Sequence, residues 1–273
     1  MKLAVSNIAW PGEPDVDAAA IALLVSNGIR GLEVAPTRVW PEWQGMEPAS
    51  IRDFRRRIES AGLAISSLQS ILFQKPELKL FGSDADRAAM HDHLRLCADL
   101  AAGLGAHCLV FGAPKNRDRG TLSEAEAFTI ARDFFARASE YYAERGVCLG
   151  FEANPIDYQC NFAFESATAA RLVRAVDSPG FRLHLDSACL FLAGENAVDA
   201  IEQNRDILAH FHVSEPHLGA FATPAAPHSA IAGALARIHY SAWCALEMRA
   251  ATPPLPALES AVRFVLNTYA NGK

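Results

Sequence analysis

No run of this chain approaches the roughly 20 uninterrupted apolar residues that a membrane-spanning helix needs. Its opening, MKLAVSNIAWPGEPDVD, has neither the long apolar core nor the cleavage site of a secretory leader. A cytoplasmic protein with no membrane partner is the expectation. A cationic surplus is missing too: a formal net charge of −6 offers no global attraction to phosphate backbones, which argues against nucleic acid as a partner. The six cysteines, Cys97, Cys108, Cys148, Cys160, Cys189 and Cys244, include no CxxC pair, so they read as reduced thiols that mostly pack. After the first apolar run, SNIAWPGEP holds no GxGxxG, and an open doubly wound dinucleotide-binding sheet loses its signature. Low-complexity tracts and linkers are also absent. What remains is 273 residues, 51% of them hydrophobic, enough for a large core in one domain spanning 1–273.

Within that length, short apolar runs alternate with longer amphipathic stretches, the pattern of βα units on a parallel sheet. Strands are expected over Lys2 to Ser6, Gly31 to Ala35, Ala64 to Gln69, His107 to Gly112, Val147 to Glu152, Phe181 to Asp186, His210 to Ser214 and Trp243 to Met248. Helices are expected over Asp15 to Ser26, Pro48 to Ser60, Ala85 to Leu104, Ser123 to Glu144, Glu165 to Ala175, Ala197 to Asn204, Ser229 to Ile238 and Leu255 to Tyr269. Ser123 followed by Glu126 makes a capping box, and Gly28, Gly62, Gly105 and Gly146 stand where left-handed helix stops belong. Eight such units predict an α/β fold, a (β/α)8 TIM barrel, whose chemistry sits on the loops after the strands.

Four consecutive strand-like segments finish on residue types that bind metals: LGFE at Glu152, RLHLD at Asp186, HFH at His212 and ALE at Glu247. In a barrel the last inward residue of each strand points to the mouth, so the four converge. Burying three carboxylates and an imidazole is expensive unless they are paired or coordinate something. A divalent cation reconciles all four, and manganese, magnesium, cobalt or ferrous iron suits this donor set better than a thiolate-type structural zinc.

These blocks, with SNIAW, LEVAPT, FGAPKNR, FEANP, CNF, LHLDS, HFHVSEP and ALEMR at the strand ends, resemble the xylose-isomerase-like barrels, the sugar phosphate isomerases and epimerases that also include endonuclease IV. The resemblance spans essentially the whole chain. It implies one divalent metal ion (Mn, Mg, Co, Fe or Zn) on Glu152, Asp186, His212 and Glu247. It also implies that Glu152 and Glu247 act as catalytic acid and base on opposite faces of a carbohydrate substrate. Ketose 3-epimerases of this family usually carry His three positions after the metal Asp and Arg in the loop after the metal His. Here Cys189 and the run Glu215, Pro216, His217 stand in those places, so recognition of the sugar hydroxyls differs. Cys189 and His217 are candidate substrate contacts, with packing the stronger reading for a small free thiol.

Further candidates follow from position. APKNRDRG sets Lys115, Arg117 and Arg119 in a loop at the expected mouth, where they either hold a phosphate or carboxylate or form a solvated basic loop paired with acidic neighbours such as Asp118, the position on the catalytic side favouring the first. Glu33 and Gln69, at the ends of the second and third strands, and Asn7 after the first are expected to face the same cavity, with Glu33 either supporting substrate or pairing with Arg38. His184 and His210 lie one strand step before their ligands and read as a layer beneath the metal or as satisfied core histidines. Among Trp10, Trp40, Trp43, Phe73, Tyr158 and Phe221, all in loops after strands, Trp10 and Tyr158 are the ones expected to wall the substrate cleft.

The function expected is that of a metal-dependent isomerase or epimerase of a sugar or small hydroxy-ketone, acidic or phosphorylated forms included. A metal on a ketose carbonyl stabilises the enediolate formed when a carboxylate removes the adjacent proton. A keto-polyol dehydratase is the alternative, since it begins with the same enediolate. Endonuclease chemistry would want more histidines and a basic groove, and a sugar-binding barrel without catalysis would not need opposed carboxylates. Apolar helix faces leave room for a homodimer, but no residue selects its surface.

Overall fold

A computed structural model describes residues 1–270. Eight parallel strands close into a barrel in chain order, β1 through β8. They are β1 (Lys2–Ser6), β2 (Gly31–Val34), β3 (Ala64–Leu68), β4 (Cys108–Phe111), β5 (Cys148–Glu152), β6 (Phe181–Asp186), β7 (Leu208–Ser214) and β8 (Trp243–Glu247). Pairing of β1 with β8 closes the ring, with Leu3 opposite Cys244 and Val5 opposite Leu246. All eight expected strands are present, with boundaries shifted by a residue or two. This is the (β/α)8 barrel that the alternation of apolar runs predicts.

Around the strands lie α1 (Pro14–Ser26), α2 (Pro48–Ser60), α3 (Asp84–Leu104), α4 (Glu124–Glu144), α5 (Ser166–Val176), α6 (Ser187–Leu192), α7 (Ala197–Gln203), α8 (His228–Arg237) and α9 (Pro254–Val265). The capping box at α4 is as expected: Ser123 Oγ accepts from the Glu126 amide while Glu126 Oε2 accepts from the Ser123 amide at 2.9 Å. Ser83 and Asp86 repeat the device at α3. At the other end of α3, Gly105 adopts φ 77°, the left-handed stop that lets the chain turn straight into β4. One helix, α6, lies in a stretch with no expected helix. It begins directly after β6, with Asp186 Oδ1 accepting from the Cys189 amide at 2.7 Å.

Two layers hold the barrel. One fills the space between strands and helices; a cluster of Phe111, Phe135, Phe151 and Phe181 packs there, with Phe135 stacked on Phe181 at 4.5 Å between ring centres. Burying a phenylalanine stabilises by about 1.5–3 kcal/mol, so four together anchor β4, β5 and β6 to α4. The strand interior is different. Toward the carboxyl ends it carries Ser67, Glu33, His184, His210 and His212, all at most 1% exposed, where barrels ordinarily stack branched apolar residues. Ser67, His210 and His212 bond Glu33, whereas neither ring nitrogen of His184 has a hydrogen-bond partner and its Nε2 lies 3.4 Å from Glu152 Oε1. Among the described residues no helix is long and apolar enough to cross a membrane.

Candidate active site

The carboxyl ends of β5 to β8 bring the four expected ligands toward one point. Asp186 and His212 are paired across β6 and β7, while Glu247 lies opposite Ser214, two residues higher on β8. Donor atoms of Glu152, Asp186 and His212 all lie within 4.8 Å of one another. Glu247 joins through His212, whose Nδ1 is 3.2 Å from Glu247 Oε2 and 3.9 Å from Asp186 Oδ2. A second grouping, His184, His210 and His212, is equally compact, but it lies deeper, with His184 stacked on His210 at 5.3 Å and edge-on to His212 at 4.3 Å.

Protonation explains which face of His212 is a donor. Beneath it, the fully buried Glu33 accepts from His210 Nε2 at 2.8 Å, from Ser67 Oγ at 2.7 Å and from His212 Nε2 at 3.1 Å. Burial alone would raise the Glu33 carboxyl, but the imidazoles of His212 and His210 outweigh it and hold it well below the usual carboxylate range. With Nε2–H given to Glu33, the other ring nitrogen of His212, Nδ1, faces the carboxylates; it is buried and without a hydrogen bond. Against the effect of burial, Glu33 and Glu247 hold the ring well above its ordinary range, so binding a cation there displaces a proton. A carboxylate behind a histidine that points its other nitrogen at a cation is the usual support of a metal ligand. Crowding of the carboxylates is visible at Asp186, pushed up to about 7 by burial and by the neighbouring Glu152. An orphaned imidazole nitrogen among three crowded carboxylates fits a hard or borderline divalent cation.

Asp186 is fixed on both oxygens, Oδ2 accepting from Ser214 Oγ at 2.6 Å and Oδ1 from the α6 amide. Above the cluster opens a cavity of about 840 Å³ whose floor includes Glu152, Asp186 and Glu247. Lys115, Tyr158, Cys189 and His217 line its wall. Tyr158 Oη accepts from the His217 amide at 3.0 Å, joining the loops after β5 and β7, and His217 adopts the left-handed φ of 58° to do so.

Other expected contacts lie elsewhere. Trp10 is 1% exposed and packs in the core with Nε1 donating to Asp17, because the turn after β1 folds its ring inward. Glu33 sits one layer below the cavity, behind His212. Gln69 donates to Ser6 Oγ at 2.6 Å and accepts from Ser70, tying β3 to β1; Asn7 accepts from the Ala35 amide. Arg117 is fully buried under its loop, and Arg119 bonds Asn161. Trp40, Trp43 and Phe221 pack in the core, while Phe73 is on the wall. Sequence reasoning missed Asn154, Arg249 and Lys75, all on the wall. Asn154 and Arg249 each stand two residues beyond a strand-end Glu, so strand parity was an available signal.

No curated protein matches the sequence. Solved structures do. The chain is similar to D-psicose 3-epimerase from Clostridium cellulolyticum H10, at 16% identity and TM-score 0.82 over 99% of this chain and 98% of that one. It is similar to 3-keto-D-glucoside 4-epimerase from E. coli, at 17% identity and TM-score 0.78 over 98% and 99%. A probable 3-DHS dehydratase from Bacillus anthracis aligns at 14% identity and TM-score 0.75 over 98% and 99%. At such identities the likeness concerns the fold. The model of the xylose isomerase-like TIM barrel family matches residues 21–268, and the chain belongs to that family.

Proposed function

We propose that the protein is a divalent-metal-dependent epimerase or isomerase of a small carbohydrate. The observation that carries this is the cavity floor: Glu152 and Glu247 both open on it, with Asp186 between them in chain order and Nδ1 of His212 turned toward the group. Glu152, Asp186, His212 and Glu247 would hold the ion, which when bound supplies Lewis-acid polarisation of a carbonyl and its neighbouring hydroxyl. The chain's own part is proton transfer. One of the two glutamates accepts the proton from the carbon beside the carbonyl, and the other returns one. Return to the opposite face of the same carbon epimerises it; return to the neighbouring carbon isomerises the sugar.

Three cations on the wall, Lys75, Lys115 and Arg249, support a substrate with an acidic or phosphorylated end. Among the described residues none of them is in an ion pair, so each is free to meet an anion. A lyase reading shares the first step: the returning acid expels hydroxide instead of protonating carbon. The similarity to a probable 3-DHS dehydratase favours keeping it as the second reading.

The test joins metal and chemistry. Purified wild type is expected to carry about one Mn, Co, Fe, Mg or Zn per chain, lost in His212→Ala, and to exchange a carbon-bound proton of a ketose in deuterated water. Absence of metal together with absence of exchange under any divalent ion would sink the proposal. Water loss without epimer formation would select the lyase.

A further inference from the structure

Arg117 is completely shielded from solvent. Its contacts are neutral: Nη2 donates to Asn154 Oδ1 at 2.9 Å and to Cys160 Sγ at 3.4 Å, and Nη1 to the Phe111 carbonyl at 3.4 Å. The guanidinium lies over the Phe151 ring at 4.8 Å, and Nε has no partner. A buried cation without a carboxylate beside it costs several kcal/mol, more than neutral acceptors and one aromatic face offset. The anion reached next along these contacts is Glu152, one amide away. Asn154 takes the Arg117 bond on Oδ1 and donates Nδ2 to Glu152 Oε2 at 2.7 Å.

That amide has one workable orientation. Flipped, it would set its NH2 against the guanidinium and its oxygen against the carboxylate, and both contacts would be repulsive. Space completes the cradle: a Cβ on Gly112 would lie 1.8 Å from Glu152 Oε2, so the carboxylate oxygen occupies the room a side chain would need. Oε1 keeps only weak neighbours, His184 Nε2 at 3.4 Å and Cys189 Sγ at 3.9 Å.

We infer that Arg117 and Asn154 are positioning residues for Glu152: Arg117 fixes the Asn154 amide, which clamps Oε2 over Gly112 and leaves Oε1 to the cavity. The inference rests on the reading of Glu152 as one of the two proton-transferring carboxylates.

Asn154→Asp separates this role from simple packing. Aspartate gains an ion pair with buried Arg117, so the fold is kept, but it cannot donate to Glu152 and repels it. The expected result is a melting temperature at or above wild type. With D-fructose as the ketose probe, kcat falls on the order of 10–100-fold while KM changes little. A crystal structure of the metal-free variant should show Glu152 Oε2 withdrawn from Gly112. Arg117→Lys should lower kcat alone and add nothing in the Asn154→Asp background, since the two act in series. If Arg117→Lys does not fold, or D-fructose is not turned over, the Glu152 position in Asn154→Asp decides. Glu152 within about 0.5 Å of its wild-type place, or full kcat in a folded Asn154→Asp, overturns the inference. Glu152→Gln serves as the control. If it is inactive while Asn154→Asp is fully active, only the positioning role falls; if Glu152→Gln is itself fully active, the proposed function falls.

Discussion

Gly112→Ala is a one-carbon change whose effect should fall almost entirely on chemistry. Gly112 follows β4 with an ordinary negative-region backbone, so alanine meets no conformational penalty there. Its Cβ, however, would stand 1.8 Å from Glu152 Oε2 and 3.0 Å from Cδ. Restoring a separation of about 3.5 Å requires the oxygen to move by roughly 1.7 Å, breaking the Asn154 bond on the way. The displaced group is the end of a flexible side chain, so folding pays little; replacing glycine even restricts the unfolded chain, worth about 0.4–1 kcal/mol of stabilisation. Misplacement of a reacting group by about 1 Å costs on the order of 100-fold in rate. The variant is therefore expected to melt within a few degrees of wild type and to lose at least about 100-fold in kcat/KM, measured as proton exchange in deuterated water. A Gly112→Ala protein with wild-type rate would refute the placement of Glu152 as a reacting carboxylate clamped at that spot.

Divalent ion at 100 times its dissociation constant should stabilise wild type by about 2.7 kcal/mol, and differential scanning calorimetry should show that increment gone in His212→Ala. Lys115→Met and Arg249→Leu each remove a charge-assisted contact worth about 1.5–3 kcal/mol, so KM for a phosphorylated or carboxylated ketose should rise about 10–100-fold with kcat held; equal loss on a neutral ketose would defeat the anionic-end reading. Glu33→Gln removes the anion that sets the His212 tautomer, and Mn²⁺ titration should find affinity lowered about 10–100-fold; unchanged affinity would show that His212 needs no such support. Away from the cavity, half-buried His91 stacks on Phe134 and is held down to about 4 by burial and by Arg137 and Arg95. Its folded value lies below the ordinary 6.5, so its contribution is present above pH 6.5 and is lost as pH falls toward 4. After discounting for solvent that amounts to about 1 kcal/mol, and His91→Phe should flatten the chemical-denaturation stability profile across that window.

The barrel was legible because its strands are apolar runs of four to seven residues separated by helices with capped starts and glycine stops. The convergence of Glu152, Asp186, His212 and Glu247 was legible for a narrower reason: a charged residue at the end of a buried strand has few places to go. Parity is what position alone leaves open. Glu33 stands last but one in β2, and the pairing of β2 with β3 shifts between Leu32 and Glu33, which drops its carboxylate a layer below the mouth. Arg117 is carried under its loop by the one-turn helix Pro114–Arg117, a turn that a run of mixed polar residues does not announce. Six-residue α6 is too short to show a helical period. Its cap, Asp186, also lines the cavity, and the capping role was not visible in the residue type.

Those misplaced residues share a property that bears on the site. Glu33, Arg117 and Gln69 were expected to touch substrate because they are polar and lie near strand ends; Arg117 and Gln69 instead bond Asn154 and Ser70 on the cavity lining, and Glu33 bonds His212 just beneath it. Glu33 orients His212, Arg117 orients Asn154, and Gln69 ties Ser6 to Ser70. Buried polar side chains are kept only where their partners repay desolvation, so a barrel whose upper interior is built from Ser67, Glu33, His184, His210 and His212 has given up apolar layers to fix the direction of a few groups above. Direction is what proton transfer between two carboxylates demands, since a glutamate free to rotate would sample the productive geometry only part of the time. If the proposed proton transfer is the reaction, the supports beneath the cavity would govern rate, while its wall, with Lys75, Lys115, Tyr158, His217 and Arg249, would govern which substrate is held.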